Sequence, residues 1–208
     1  MASFDFKKDR RDLYTPPTSG FALVEVPPMT FLAIDGHGDP NVSEAYRAAV
    51  EALYAVSYAV KFASKARGRD YVVGPLEGLW TADDPGAFTS RAKAEWDWTM
   101  LIRQPDWVSP EHLREAIATT ASTKSLTALE VLRILPLAEG TCLQIMHVGS
   151  YDDEAPTLAR LHDEVMPARG LTWNGAHHEI YLSDPRRVAP ERLKTILRQP
   201  VRPRDEPA

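Results

Sequence analysis

The sequence predicts an α+β fold built from two similar halves, each running strand-helix-strand-strand. Short runs alternate apolar and polar residues and are bounded by Gly, Pro and Asp, the pattern of half-buried strands. Longer stretches repeat apolar residues at three- and four-residue spacing, the pattern of a helix with one inward stripe. Short peptides also recur in the same order. Phe31-Leu32-Ala33-Ile34-Asp35-Gly36 parallels Cys142 to Gly149, and Glu77-Gly78-Leu79-Trp80 with Asp84-Pro85 parallels Glu179-Ile180-Tyr181-Leu182 with Asp184-Pro185. Ile102-Arg103-Gln104-Pro105 parallels Leu197-Arg198-Gln199-Pro200. One such match is chance; three in order indicate an internal duplication. A single domain over 1–208 is expected, with internal halves at about 21–121 and 126–201, joined through the polar stretch Thr119 to Ser125.

Taken in order, residues 1–20 read as an extended lead-in ending in Pro16-Pro17. Phe21 to Val26 is a strand stopped by Pro27-Pro28, and Thr30 to Asp35 is a second. A helix follows, with Ser43 or Asn41 as N-cap, and runs to about Arg67, where Gly68 suits the C′ position. Tyr71 to Trp80 and Trp96 to Arg103 read as strands, separated by the turn signal Asp83-Asp84-Pro85-Gly86. Pro110 to Ala121 is a helix capped by Ser109 with Pro110 at N1. Glu130 to Leu135 and Thr141 to Val148 are strands, and Gly149 to Glu154 is a turn into a helix that ends near Gly170. His177 to Leu182 and Lys194 to Gln199 complete the second half.

Composition narrows the functional classes. A net charge of −5, a pI near 5.7 and the absence of a long basic run argue against nucleic-acid binding. The single Cys142 lies in a strand pattern and reads as a buried structural thiol. The charged N-terminus is no signal peptide, and no apolar run reaches the ~18 residues of a membrane span. A cytoplasmic protein is expected, monomeric or homodimeric. Five tryptophans and seven tyrosines need somewhere to pack.

The candidate chemistry centres on Ala176 to Pro185. Period two puts His177, Glu179 and Tyr181 on one face of a strand, and His178, Ile180 and Leu182 on the other. This is either a solvated edge or a carboxylate held rigidly among aromatic rings. Two duplicated halves are expected to pack about a pseudo-twofold axis and leave a ligand cleft. Glu77 and Glu179 would then correspond, flanked by Trp80 and Tyr181, although Gly78 could equally put Glu77 in an exposed turn. Tyr54 and Tyr58, one helical turn apart, either pack or present a phenol. Trp98 and Trp96 lie on one strand, and either is core or stacking surface. No histidine pair has the helical i, i+4 spacing of a zinc site, so no metal and no cofactor is expected. No serine lies in a Gly-x-Ser-x-Gly elbow, and Gly36-His37-Gly38 is too short for a phosphate loop. Arg186, Arg187 and Arg192 read as a solvated face.

Several of these segments together resemble the GyrI-like small-molecule-binding family: His147-Val148-Gly149-Ser150-Tyr151, His177 to Pro185, Pro75-Leu76-Glu77-Gly78-Leu79-Trp80, Leu197-Arg198-Gln199-Pro200 and the Phe4-Asp5-Phe6-Lys7-Lys8 lead. The resemblance implies duplicated SHS2-type halves with a mostly antiparallel sheet and a central ligand cleft. It implies a pocket glutamate that binds lipophilic cations in multidrug-responsive activators, matched here by Glu179. It also implies hydrolysis of cyclopropanoid natural products in stand-alone members, and no DNA-reading segment appears in this sequence. On that basis Glu179, Tyr181 and Glu77 are candidate catalytic residues. Tyr54, Trp80, Trp98, His147 and Tyr151 are candidate ligand-binding residues. The expected function is binding of aromatic, drug-like or genotoxic molecules with hydrolysis of cyclopropanoid electrophiles, or sequestration without chemistry.

Overall fold

The computed structural model describes residues 3–82 and 92–205. The turn expected at Asp83 to Gly86, and with it the Asp84-Pro85 match, lies outside the described residues. In chain order the elements are α1 (Phe6–Asp9), α2 (Arg11–Tyr14), β1 (Ala22–Val26), β2 (Met29–His37), α3 (Glu44–Ala66), β3 (Leu76–Thr81), β4 (Asp97–Arg103), α4 (Pro110–Thr123), β5 (Arg133–Leu137), β6 (Gly140–Val148), α5 (Ala155–Ala159), α6 (Met166–Ala168), β7 (Leu171–Trp173), β8 (His177–Tyr181) and β9 (Lys194–Pro203). The fold is α+β with antiparallel strand pairs, as the sequence predicts. No helix among the described residues is long and apolar enough to cross a membrane.

The chain forms two compact units, residues 1–9 with 29–137 and residues 10–28 with 138–208. They differ from the halves read off the repeat in one respect. β1 precedes β2 in sequence but pairs with β6, and β5 precedes β6 but pairs with β2. The leading strand of each half is therefore a member of the other unit's sheet. Sequence periodicity identifies a strand but carries no information about which neighbour it joins.

In the first unit the strand order is β3-β4-β2-β5. The cap of α3 is Ser43, whose Oγ accepts the Tyr46 N–H at 3.2 Å. Gly68, at φ +84°, takes the left-handed conformation that ends the helix. Ala49, Leu53, Val56 and Val60 form its buried stripe, and each large side chain contributes roughly 1.5–3 kcal/mol by leaving water. β3 starts only at Leu76, because Gly74-Pro75 interrupts the run from Tyr71; Tyr71 instead bridges to Phe4. The lead-in is not extended. Asp5 accepts the Lys7 N–H at 3.0 Å and starts α1, whose Phe6 is buried edge-on to Phe4 and Tyr71.

In the second unit the order is β8-β9-β6-β1, with β7 paired to the far end of β9. Neither β7 nor the extension of β9 to Pro203 is expected from the sequence. The Glu130 to Leu135 strand also starts late, since Thr127–Glu130 forms a 3₁₀ turn. The helix expected up to Gly170 is broken into α5, a π-helical stretch Arg160–Val165, and α6. Pro167 explains the break: with no N–H for the Asp163 carbonyl, the preceding turn widens. Phe21, Leu143, Ile145, Leu161, Met166, Leu197 and Val201 form this unit's core between the sheet and the broken helix.

The opposite face of that sheet holds a buried ionic network. Arg198 Nη1 donates to Glu139 Oε2 at 3.2 Å, and its other nitrogens reach Gln144 Oε1 and the Leu13 carbonyl. His178 Nδ1 lies 2.9 Å from Glu139 Oε1. Burial alone would raise the Glu139 pKa, but His178 and Arg198 outweigh it and hold the carboxyl down to about 2. The network ties α2 to the sheet and fixes Arg198 as a structural residue.

Candidate functional site

On β8 the side chains of His177, Glu179 and Tyr181 share the face that carries Leu197 and Ile145, the core side. Tyr181 Oη donates to Glu179 Oε2 at 2.8 Å. His177 Nε2 lies 3.6 Å from Glu179 Oε1. Tyr151, in the 3₁₀ turn Tyr151–Asp153, packs edge-on to Tyr181 with ring centres 5.7 Å apart. The strand is therefore no solvated edge: the carboxylate is held by one phenol and flanked by a second ring and an imidazole.

Above this strand stands Glu154, which leads into α5 and is only 4% exposed. Its carboxyl pKa is pushed up to about 10, first by burial and then by the charge of Glu179, while the neighbouring Thr195 pulls it the other way. Thr195 is fully buried on β9 and pairs across the ladders with Tyr181 and His147. Burial, with Glu154, Glu179 and Asp184 nearby, also raises the Tyr151 phenol to about 12. Two carboxyls thus meet in one protected place, one neutral across the physiological range. Such a pair can supply a proton and accept one in the same cycle.

The π-helical stretch adds His162, whose ring sits 6.5 Å from His177 and 4.2 Å from the Trp173 ring. Burial, then His177, lowers the His162 pKa to about 4, which keeps it neutral. Among the described residues, no three His, Cys, Asp or Glu side chains converge to hold a metal ion.

The expected site residues divide. Glu179, Tyr181 and Tyr151 come together. His147 sits next in the ladder beyond Thr195, but its Nε2 lies 3.1 Å from the Ser150 carbonyl, so it braces the turn that carries Tyr151. Glu77, Tyr54, Trp80 and Trp98 belong to the first unit. Glu77 is fully buried, which removes the exposed-turn reading. Trp98 is core: it is 2% exposed, packs edge-on to Tyr46, and lies so close to Gly36 that any Cβ there would meet its ring. Trp80 is buried edge-on to Trp96. Tyr54 stacks on Tyr58 along α3.

Register also corrects the pairing of Glu77 with Glu179. Leu197 lies opposite Glu179, and its counterpart in the Ile102/Leu197 peptide match, Ile102, lies opposite Leu76. Leu76 therefore stands where Glu179 stands, and Glu77 points to the other face. The glycine positions agree: Gly36 lies opposite Trp98, and the Gly149 N–H donates to the Leu193 carbonyl, the same offset as Ile102 to Leu197.

Glu154 and Thr195 are site residues that the sequence reading misses. Glu154 ends an acidic run, Asp152-Asp153-Glu154, just ahead of Ala155-Pro156, where a carboxylate normally faces solvent at a helix start. Nothing in its spacing signals burial.

Carboxyls held beside aromatic rings are the kind of lining that small-molecule sites use. This chain belongs to the GyrI-like small molecule binding domain family, which matches residues 21–202. An uncharacterized conserved protein from Listeria innocua is similar over 96% of this chain and 100% of its own, with 38% identity and a TM-score of 0.88. A hydrolase from Listeria innocua is similar over 97% of this chain and 100% of its own, with 38% identity and a TM-score of 0.85. The EcmrR C-terminal domain shares the fold alone, with 12% identity, a TM-score of 0.56, and coverage of 88% of this chain and 98% of its own. No curated protein matches the chain.

Proposed function

We propose that this protein is a metal-independent hydrolase of aromatic small molecules that carry a strained, electrophilic cyclopropane, and that it protects the cell from them. The observation that carries the reading is the Glu179 carboxylate, fixed by the Tyr181 hydroxyl at 2.8 Å within a part-buried aromatic setting. The similarity at 38% identity to a protein described as a hydrolase supports it. In a spirocyclopropyl dienone the ring methylene is the electrophile. Glu179 takes a proton from a water as its oxygen bonds to that methylene. The ring C–C bond breaks and its electron pair passes through the dienone to the carbonyl oxygen, which becomes a phenolate oxygen. Strain lowers the barrier, so positioning supplies much of the rate. Tyr181 already donates to Glu179, so it serves as a positioning residue.

The test is turnover of the parent spirocyclopropyl cyclohexadienone, followed as the water adduct by mass. Glu179→Gln should lower the rate roughly 100-fold. Full turnover in that variant, with loss in Glu77→Gln, would move the base to the first unit. A second reading, sequestration of aromatic cations, is favoured by the Tyr151 and Tyr181 rings beside a carboxylate. Under it, wild type leaves the dienone unchanged and binds ethidium with an affinity that falls on acidification, and Glu179→Gln loses that dependence.

A further inference from the structure

We infer that Glu154 is the proton donor of this site, delivering its proton to the carbonyl oxygen of the substrate while Glu179 takes one from water. The assignment rests on the hydrolase reading above. Three features of position carry it. Glu154 is 4% exposed, and its Oε1 makes no hydrogen bond with any described residue, so its carboxyl has an uncommitted face. It lies near enough to Glu179 and Thr195, which share a sheet face with Tyr181, for both to act on its carboxyl. The Tyr181 hydroxyl is committed to Glu179, and the Tyr151 phenol, held up at about 12, is a far weaker acid than a carboxyl.

The environment then sets the protonation state. Buried and next to the Glu179 charge, Glu154 keeps its proton up to about pH 10. Among the described residues no arginine or lysine acts on it, while Asp152 adds to the charge of Glu179; Glu139, in contrast, is held ionised by His178 and Arg198 in the same unit. Two carboxyls at close quarters share one proton between them. Before the reaction the proton of the pair sits on Glu154. Water adds to the methylene and gives its proton to Glu179; the C–C electron pair reaches the carbonyl oxygen, which takes the proton of Glu154. The substrate has gained one water, and the pair still holds one proton, now on Glu179. Its return to Glu154 resets the site without a net exchange with solvent.

Two measurements on the full chain test this. Glu154→Gln should turn over the spirocyclopropyl cyclohexadienone about 100-fold more slowly. It should fold as well as wild type at neutral pH, because one neutral group replaces another. The wild-type rate should fall on the alkaline side near pH 10, and the residual rate of Glu154→Gln should lack that limb. Independently of turnover, infrared difference spectra between wild type and Glu154→Gln should show one protonated carboxyl at pH 7 that vanishes in the variant. An absent carboxylic-acid band, or full activity in Glu154→Gln while Glu179→Gln is slow, would overturn the Glu154 assignment alone. A wild-type protein that leaves the dienone unchanged would overturn the hydrolase reading, and the Glu154 role with it.

Discussion

The two units share a strand order and differ in what they set beneath their helices. β3-β4-β2-β5 in the first matches β8-β9-β6-β1 in the second. In the first, α3 runs unbroken for 23 residues, Leu76 occupies the Glu179 position, and Trp98 fills the space over Gly36. In the second, the helix is split by a π-helical stretch, and a carboxyl pair with two tyrosines sits at the end of the apolar core. A duplicated topology therefore does not duplicate a site. One copy keeps a regular helix with leucine and tryptophan at these positions, and the other accepts an irregular helix and a carboxyl pair there, the local cost that functional positions commonly carry.

The sharpest way to break this contrast is to open the first unit's core. Trp98→Ala should cost about 3–5 kcal/mol in denaturant unfolding, the scale of a large aromatic lost from a packed interior. It should leave ethidium affinity per folded molecule unchanged; weaker binding would return Trp98 to the ligand site.

The matched arginines sharpen it further. Arg198 is buried against Glu139, so Arg198→Ala leaves a charge uncompensated and should cost about 3–5 kcal/mol. Arg103 is buried too, but over the ring of Phe6, and its ion partner at 3.7 Å is the exposed Asp106, which water solvates once the arginine is gone, so Arg103→Ala should cost about 1–2 kcal/mol by the same assay. Equal losses would mean the two units are built alike.

The second unit adds a deeply buried contribution to the acid limb of stability. The folded Glu139 pKa lies near 2, below its ordinary 4.5. The unfolded chain thus takes up the proton first as pH falls. The contribution is present above the ordinary value and is lost as pH drops toward 2, a change of ~3 kcal/mol. Urea midpoints measured down through that range should show it, and in Glu139→Gln the drop should shrink.

Much of the architecture was legible because strands and helices announce themselves through period, caps and breakers. Ser43, Gly68, Ser109 and Pro110 mark helix ends where they stand. Glu179, Tyr181 and Tyr151 were legible because alternation fixes which residues share a strand face. Glu77 was misplaced because the same alternation is unforgiving: a peptide alignment off by one residue flips a side chain across the sheet. Glu154 was hidden because burial comes from tertiary packing, and an acidic turn looks the same in sequence whether it meets water or a sheet. The exchange of β1 and β5 was hidden because partner choice is decided by long-range pairing, not by local pattern.

That exchange has a consequence for synthesis of the chain. β1 emerges from the ribosome early, yet its partner β6 lies more than a hundred residues later; the Thr141 hydroxyl, for example, bonds Glu25 across 116 positions. The first unit can close once β5 is made, while Ala22 to Val26 must wait unpaired until residue 144 follows. Such a delayed, non-local pairing is intrinsically slow and leaves a strand edge open to other chains in the meantime. Glu25, exposed near the end of that strand, places a charge on the waiting edge, as strands guarded against intermolecular pairing commonly do.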